Sequence, residues 1–412
     1  MAERDAPPPS PRYARRGEYD LPQWDTPAEP SANSRLGGAP ATEPARSTRT
    51  SPTAAYVANF RFTGEGAEYF RIWVVNLLLT LVTLGVYSAW AKVRKARYFW
   101  QNTRLDGHAF DFHGRPVAIL IGRAIALLLV IAYSIAFDIA RMAGLVVIIV
   151  LCIAGPWLFM RAQRFKLVNS SWRGLRFGFD SRITSAYASV LPPIAIWLSS
   201  AFVTVLAVDR FGLMSGLLGV ASALFVPWMH HRLKAYQHRG ARYGDRRFDF
   251  LSATPSFYAV YFKAVMLAML MGGMGTLLVV MMPFERDSDV KLYALVTTAI
   301  VSGFVYLAAW PYFSARLQQV VWSHTRLGDV RFATSITAGP LFRLVAKNMG
   351  LTLISAGLYW PFASIALARY RIECMRCESS EPIEALADAT SSPPGMAAGD
   401  AALDAFGLDI GL

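Results

Sequence analysis

The chain has 412 residues, of which 54% are hydrophobic and 17% are charged, and its net charge is +13. Soluble proteins carry about 25% charged residues, so this composition argues against a wholly soluble protein. The basic residues lie in short loops between apolar runs, as the positive-inside bias of membrane proteins requires. That placement argues against nucleic-acid binding.

Residues 1–55 are rich in Pro, Ser and Arg and contain no apolar stretch of the kind found in a signal peptide. They are predicted to form a disordered arm. The Ala-rich, acidic residues 378–412 are predicted to be a disordered tail, which leaves 56–377 as the transmembrane domain. Three cysteines are too few for a disulfide framework.

Six apolar runs between the tails are each close to the roughly 20 residues that a helix needs to cross a bilayer. They are Val117–Phe137, Met142–Phe159, Tyr187–Val208, Phe211–Met229, Ala259–Met282 and Val290–Trp310. Short turns pair them into three transmembrane hairpins. The connectors between hairpins, such as 91–107 and 229–247, are densely basic and are expected to face the cytoplasm.

Two further apolar segments, Ile72–Trp90 and Leu344–Leu367, have basic residues on both flanks. They either cross the membrane, or enter and leave on the same face as re-entrant or interfacial helices. We favour the second alternative, because a crossing would place one basic flank on the wrong side.

The two segments match each other without a gap at an offset of 272 residues. The matched positions are Asn76, Gly85, Tyr87, Arg97 and Tyr98 in the first, and Asn348, Gly357, Tyr359, Arg369 and Tyr370 in the second. Such agreement indicates one structural element used twice.

The basic connectors also repeat. Arg94, Arg97, Asn102 and Gly107 recur 67 residues later as Arg161, Arg164, Asn169 and Gly174, and Arg232 to Phe248 matches Arg316 to Phe332 at an offset of 84. Each connector begins near an aromatic residue, continues as a helix and ends in a short alternating segment. The segments Val57–Phe62, Arg176–Phe179 and Arg246–Phe250 are predicted strands that pair into a small cytoplasmic sheet.

These patterns predict an all-α polytopic membrane protein with short β-strands in its cytoplasmic connectors. Three repeated transmembrane hairpins and two matched apolar segments give six to eight spans. The sequence from Asn76 to Gly107, its echo near the end and the basic connectors together resemble the YjgN family of bacterial inner-membrane proteins. The resemblance covers Val57–Glu373 and implies an inner-membrane protein of a Gram-negative bacterium. It supplies no catalytic or ligand-binding residue.

Six arginines at helical spacing in the connectors are candidate contacts for anionic lipid head groups or a phosphate-bearing ligand. They are Arg94, Arg97, Arg161, Arg164, Arg232 and Arg316. The alternative is topological charge without a specific ligand. Arg123 and Lys263, near the ends of apolar runs, are explained by side chains that reach the interface.

Pro192-Pro193 and the glycine-rich run Met271–Gly275 mark either interrupted helices that line a cavity or kinks and close helix packing. The six runs contain no Asp or Glu, which argues against carriers coupled through a buried carboxylate. Cys374 and Cys377 supply only half of a zinc site.

We therefore expect a transporter or channel-like protein for a small or anionic substrate. The alternative is a non-transporting scaffold or anionic-lipid-binding protein. No Walker loop, dinucleotide fingerprint or nucleophile elbow indicates an enzyme, and we expect no cofactor. The expected partner is the bilayer, including anionic phospholipid, and the sequence leaves the oligomeric state open.

Overall fold

A computed structural model describes residues 56–139, 141–207, 212–280 and 290–380. The N-terminal arm and nearly all of the acidic tail lie outside these described residues. So do parts of the three short turns within the predicted hairpins. β10 extends to Ser379, two residues past the predicted boundary of the transmembrane domain.

The described residues form ten strands and eleven helices. In chain order these are β1 (Tyr56–Phe62), α1 (Gly66–Val82), α2 (Ser88–Gln101), β2 (Thr103–Leu105), β3 (His108–Phe112), α3 (Pro116–Ile139), α4 (Arg141–Val168), β4 (Ser170–Trp172), β5 (Leu175–Phe179), α5 (Ile183–Ala207), α6 (Gly212–Ala223), α7 (Val226–Gly240), β6 (Ala241–Tyr243), β7 (Arg246–Phe250), α8 (Thr254–Val280), α9 (Val290–Ser323), β8 (Thr325–Leu327), β9 (Val330–Thr334), α10 (Ala338–Ile354), α11 (Trp360–Glu373) and β10 (Met375–Ser379).

The ten strands form one closed antiparallel barrel in the order β1-β10-β9-β8-β7-β6-β5-β4-β3-β2. The elements fall into five units, each with a first strand, an outgoing helix, a returning helix and a second strand, except that the third unit has three helices, α5, α6 and α7. The two strands of a unit pair with each other, and tight turns join each second strand to the next unit. β1 and β10 pair and close the ring. A closed barrel leaves no unpaired strand edge.

Glycines permit the two-residue turns between units, because these turns need a positive φ. In Asp106–Gly107 and Arg173–Gly174 both residues have positive φ, which is typical of a type I′ turn. In the next two turns a glycine comes first, at Gly244 (φ 56°) and Gly328 (φ 58°), as in a type II′ turn. Both types match the twist of antiparallel strands.

The interior of the barrel is filled by side chains that are largely aromatic. Its buried cluster consists of Ala58, Leu105, Phe110, Trp172, Tyr243, Leu327, Val330 and Cys377. The rings of Phe177 and Tyr243 lie 4.9 Å apart, and those of Trp172 and Tyr243 lie 5.7 Å apart. The Tyr243 hydroxyl donates to the Trp172 carbonyl at 3.0 Å. This centre is a packed core.

A separate buried cluster lies at each junction between neighbouring units. At four of the five junctions the cluster contains the phenylalanine that ends the first strand of a unit. These residues are Phe62, Phe112, Phe179 and Phe250. At the fifth junction Ile336 and Leu341 fill the corresponding space. The helices are thus fixed to the barrel by contacts with the adjacent unit.

The predicted all-α architecture with six to eight spans is wrong. The connectors close a ten-stranded barrel. Within the described residues three helical stretches are long and apolar enough to cross a membrane, namely Pro116–Ile135, Thr254–Gly275 and Val296–Ser323. The predicted run Phe211–Met229 is divided instead, because α6 ends at Ala223 and α7 begins at Val226. The strands predicted in the connectors are present.

The two matched apolar segments are helical hairpins. The chain reverses at Leu84–Gly85 between α1 and α2 and at Ala356–Gly357 between α10 and α11. Both ends of each hairpin lead into strands of the barrel. The tips are strongly apolar, with Leu84 95% exposed.

Replacing Trp172 by alanine is expected to destabilise the protein by about 3–5 kcal/mol, because the change empties part of a close-packed core. The indole N–H, which donates to the His108 carbonyl, is lost as well. The measurement is the thermal unfolding midpoint of the purified protein in detergent. Val57→Ala, on the exposed face of β1, is the matched control and should leave the midpoint nearly unchanged. Equal midpoints for both variants would contradict a packed barrel centre.

Candidate functional site: an arginine collar above the barrel

Four of the predicted site residues occupy the same position in four units. Each lies nine residues before the first residue of the second strand of its unit. We call this set, Arg94, Arg161, Arg232 and Arg316, the arginine collar. The corresponding residue of the fifth unit is Ala366. The helices α2, α4, α7 and α9 therefore carry the collar at one level above the barrel.

An aromatic residue lies one helical turn before each collar arginine, on the side away from the barrel. The four are Trp90, Trp157, Trp228 and Tyr312. The guanidinium carbon of Arg161 lies 5.0 Å from the centre of the Trp157 ring, and Arg232 is stacked on Trp228 at the same distance. Such stacking holds the cation without neutralising it.

The hydrogen-bond partners found for the collar are neutral. Arg94 donates to the Asn76 amide oxygen at 3.5 Å, Arg232 donates to the Ala188 carbonyl at 2.9 Å, and Arg316 donates to the Gln319 amide oxygen at 2.9 Å. No ion pair joins a collar arginine to a carboxylate among the residues that the structure describes. The collar therefore keeps its positive charge available for an external anion.

Arg97, another predicted contact, is tied to the protein backbone. It donates to the Phe112 carbonyl at 3.4 Å, and Arg369, its match in the fifth unit, donates to the Gly64 carbonyl at 2.8 Å. Both bonds attach a returning helix to the end of the first strand of the following unit. Arg164 is exposed on α4 and adds charge close to the collar.

The matched motif residues shape the two helical hairpins. Asn76 and Asn348 are each 7% exposed, and their carbonyls accept hydrogen bonds from Thr80 and Thr352 at 2.6 and 2.7 Å. Gly85 and Gly357 adopt φ values of 92° and 90°, which residues with a side chain rarely reach.

The tyrosines of the motif also hold these hairpins in place. Tyr87 donates its backbone N–H to Thr83, and Tyr359 donates in the same way to Ser355. The Tyr98 hydroxyl accepts from the Glu65 backbone N–H at 2.9 Å, whereas Tyr370 contacts Thr337 at the same place in the fifth unit. The motif therefore has a structural role.

The remaining residues that the sequence singled out do not belong to the arginine collar. Arg123 donates to the hydroxyl of Ser88 on α2, and Lys263 is exposed on α8. Cys374 belongs to the junction between the fourth and fifth units, whereas Cys377 points into the barrel core. Within the described ranges no group of three or more potential metal ligands is found.

Two histidines of α7 are buried and form hydrogen bonds with different neighbours. His238 Nδ1 lies 3.1 Å from the Thr325 hydroxyl, whose own proton goes to the Val321 carbonyl, so His238 must donate. His230 Nδ1 lies 2.9 Å from the Tyr261 hydroxyl. Burial, reinforced by the charge of a nearby lysine, lowers the pKa of His238 to about 3 and that of His230 to about 4.

Within the described residues, three apolar helical stretches of membrane-crossing length extend from the barrel, as expected of an integral membrane protein. A family model described as a bacterial protein of unknown function, DUF898, matches residues 57–405. The chain belongs to this family.

Two curated relatives carry the name inner membrane protein YjgN. The relative from Salmonella typhimurium is 23% identical over 351 residues, which cover 75% of this chain and 85% of the relative. The relative from Escherichia coli K12 is 30% identical over 124 residues, which cover 30% of this chain and 31% of the relative. No solved structure matches the chain significantly.

The folded protein is expected to lose stability as the pH falls from about 6.5 towards 4. In this range the unfolded chain binds a proton at His238 and the folded protein does not, so acid favours unfolding. The measurement is the thermal midpoint in detergent between pH 7.5 and 5. His238→Gln should weaken this dependence, since glutamine also donates to Thr325. The control His108→Gln, at an exposed strand end, should retain the pH dependence of the wild-type midpoint. An unchanged pH dependence in His238→Gln would contradict this assignment.

Proposed function

We propose that this chain is a bacterial inner-membrane scaffold protein that binds anionic phospholipid head groups at the arginine collar. It holds the barrel at the cytoplasmic surface and does not move a substrate across the membrane. The observation that carries the proposal is the collar itself, in which four arginines lie at equivalent positions next to aromatic residues and form no ion pair with a described carboxylate.

The order of residues along the returning helices supports lipid contact. An apolar stretch is followed by Trp or Tyr, and the arginine comes four residues later, about 6 Å nearer the barrel at 1.5 Å per residue. Tryptophan and tyrosine prefer the membrane interface. The arginines then lie at the depth of the phosphates, where guanidinium groups form bidentate hydrogen bonds.

The proposed location has two supports. The relatives are inner membrane proteins by name, and the basic residues of this chain concentrate at the barrel side of the helices, as expected for a cytoplasmic face. Multi-pass anchoring is part of the proposal. Both strands of a unit belong to one barrel, so α3 crosses the membrane with α4 as its return, and α8 crosses with α9. The apolar stretches of α3, α8 and α9 present most of their side chains outward, as lipid contact requires.

Transport, which the sequence favoured, has weaker structural support than the scaffold. α5 continues as a helix through Pro192-Pro193, and α8 continues through the glycine-rich run Met271–Gly275. A side chain at Gly275 would meet Val301 of α9 at 2.4 Å, so this glycine serves close helix packing. The barrel centre is filled with aromatic side chains, which obstruct an axial path. The substrate-carrying alternative therefore lacks the broken helices on which it rested.

Replacing Arg161 and Arg232 together by glutamine is expected to reduce the anionic phospholipid that co-purifies with the protein by about fivefold or more, because each collar arginine loses one charge-assisted contact. Adding Arg94→Gln and Arg316→Gln should reduce it further. The measurement is the amount of phosphatidylglycerol and cardiolipin per protein, determined by mass spectrometry after purification in mild detergent.

The matched control is Arg104→Gln with Arg176→Gln, two exposed arginines of the barrel wall. It removes the same charge and should retain lipid at the wild-type level. Equal retention in all variants would overturn specific binding at the collar. Selective flux of an anion or small solute through liposomes containing the protein, with the same rate in wild type and the collar variant, would favour transport.

A further inference from the structure

The outer wall of the barrel carries a second group of arginines on the four adjacent strands β6 to β9. Alternation along the strands points Arg242, Arg247, Arg326 and Arg331 outward, and we call these four the arginine wall. Arg242 lies directly opposite Arg247, and Arg326 lies directly opposite Arg331 in the strand register. Arg247 and Arg331 are exposed, and Arg242 and Arg326 are half-buried.

Like charges directly opposite each other in antiparallel strands are unfavourable. The nearby carboxylates compensate this only in part. Asp180 pairs with Arg242 at 3.0 Å, while Asp249 lies opposite Arg326 and 3.9 Å from Arg239. Among the described residues no ion pair joins Arg247 or Arg331 to a carboxylate, and Glu378, which lies opposite Arg331, pairs with Arg376 at 3.0 Å. An additional anion against this wall would remove the unfavourable repulsion.

We infer that the acidic C-terminal segment of the same chain, residues 380–412, binds the arginine wall. After Ser379 the sequence contains Glu381, Glu384, Asp388, Asp400, Asp404 and Asp409 and no Lys, Arg or His. It has no apolar run long enough to cross a bilayer. The segment continues directly from β10 and therefore stays on the side of the membrane where the barrel lies.

The segment begins within reach of the wall. β10 pairs with β9, and the register places Glu378 beside Arg331. Neighbouring strands lie about 4.8 Å apart, so the four steps from β10 to β6 cover about 20 Å. A random-coil chain of this length would have an average end-to-end distance of about 30 Å. The acidic residues can therefore spread over all four strands.

Charge complementarity selects this segment over the N-terminal arm. Residues 1–55 contain seven acidic and seven basic residues and have no net charge, whereas the C-terminal segment carries only negative charge. Membrane phospholipid is a poorer fit. The wall lies beyond the helices, more than about 13 Å from the level of the collar at 1.5 Å per residue, and one interfacial layer is only about 6 Å thick.

The test measures cleavage of the full-length protein in detergent by a protease that cuts after glutamate, followed at Glu384 by mass spectrometry, because Pro382 blocks cleavage after Glu381. With the segment bound to the wall, cleavage at low salt is slow. The triple variant Arg247→Gln, Arg326→Gln, Arg331→Gln should be cut about fivefold faster or more, since three charge contacts are lost. High salt should bring wild type to the same rate.

A reciprocal variant distinguishes release of the C-terminal segment from destabilisation of the barrel by the wall substitutions. Asp400→Asn, Asp404→Asn and Asp409→Asn leave the barrel and the cleavage site at Glu384 intact, and this variant should also be cut faster. Arg104→Gln with Arg176→Gln, on other strands, should match wild type.

Equal cleavage of wild type, the triple wall variant and the reciprocal variant at low salt would overturn the inference. Anionic vesicles that bind to the wall variants more weakly than to wild type, with unchanged cleavage, would assign the wall to lipid instead. The result does not depend on lipid binding at the collar.

Discussion

Closure of the barrel is the constraint on which the other features depend. Four of its strands have only three residues and the longest has seven, and such strands are marginal in isolation. They are stable here because each has two neighbours and because an aromatic cluster fills the ring they enclose. The helices leave and re-enter this ring at fixed positions. The depth of the collar and the spacing of the wall arginines therefore follow from the geometry of the strands.

The sequence predicts the local elements well and their assembly poorly. Apolar runs locate most helices, and alternation such as Arg246–Phe250 correctly predicts strands. Closure depends on the pairing of Tyr56 with Ser379, which are 323 residues apart, and no local pattern reveals such a contact. The number of spans was overestimated because hydrophobicity alone does not reveal where a helix ends. The reversals at Leu84 and Ala356 occur inside apolar sequence.

In the candidate site, too, the sequence predicts local features well and the long-range arrangement poorly. Helical spacing and the aromatic neighbours identify Arg94, Arg161, Arg232 and Arg316, and the structure places them at one level. Spacing cannot distinguish them from Arg97, whose guanidinium is held by a backbone carbonyl. Of the wall arginines, only Arg247 lies in a strand that was predicted, Arg246–Phe250. Whether these arginines lie opposite one another depends on which strands are neighbours, and only the strand register supplies that information.

The pairing of the first strand with the last has a consequence for biosynthesis. Chains are made from the N-terminus at about 5–20 residues per second, so β1 waits tens of seconds before β10 exists to pair with it. During that time the growing barrel has an open edge at β1 and an incompletely covered aromatic core. Pairing of β10 with β1 therefore closes the barrel, and a ribosome that stalls before Met375 leaves a chain with its strand edge exposed to aggregation.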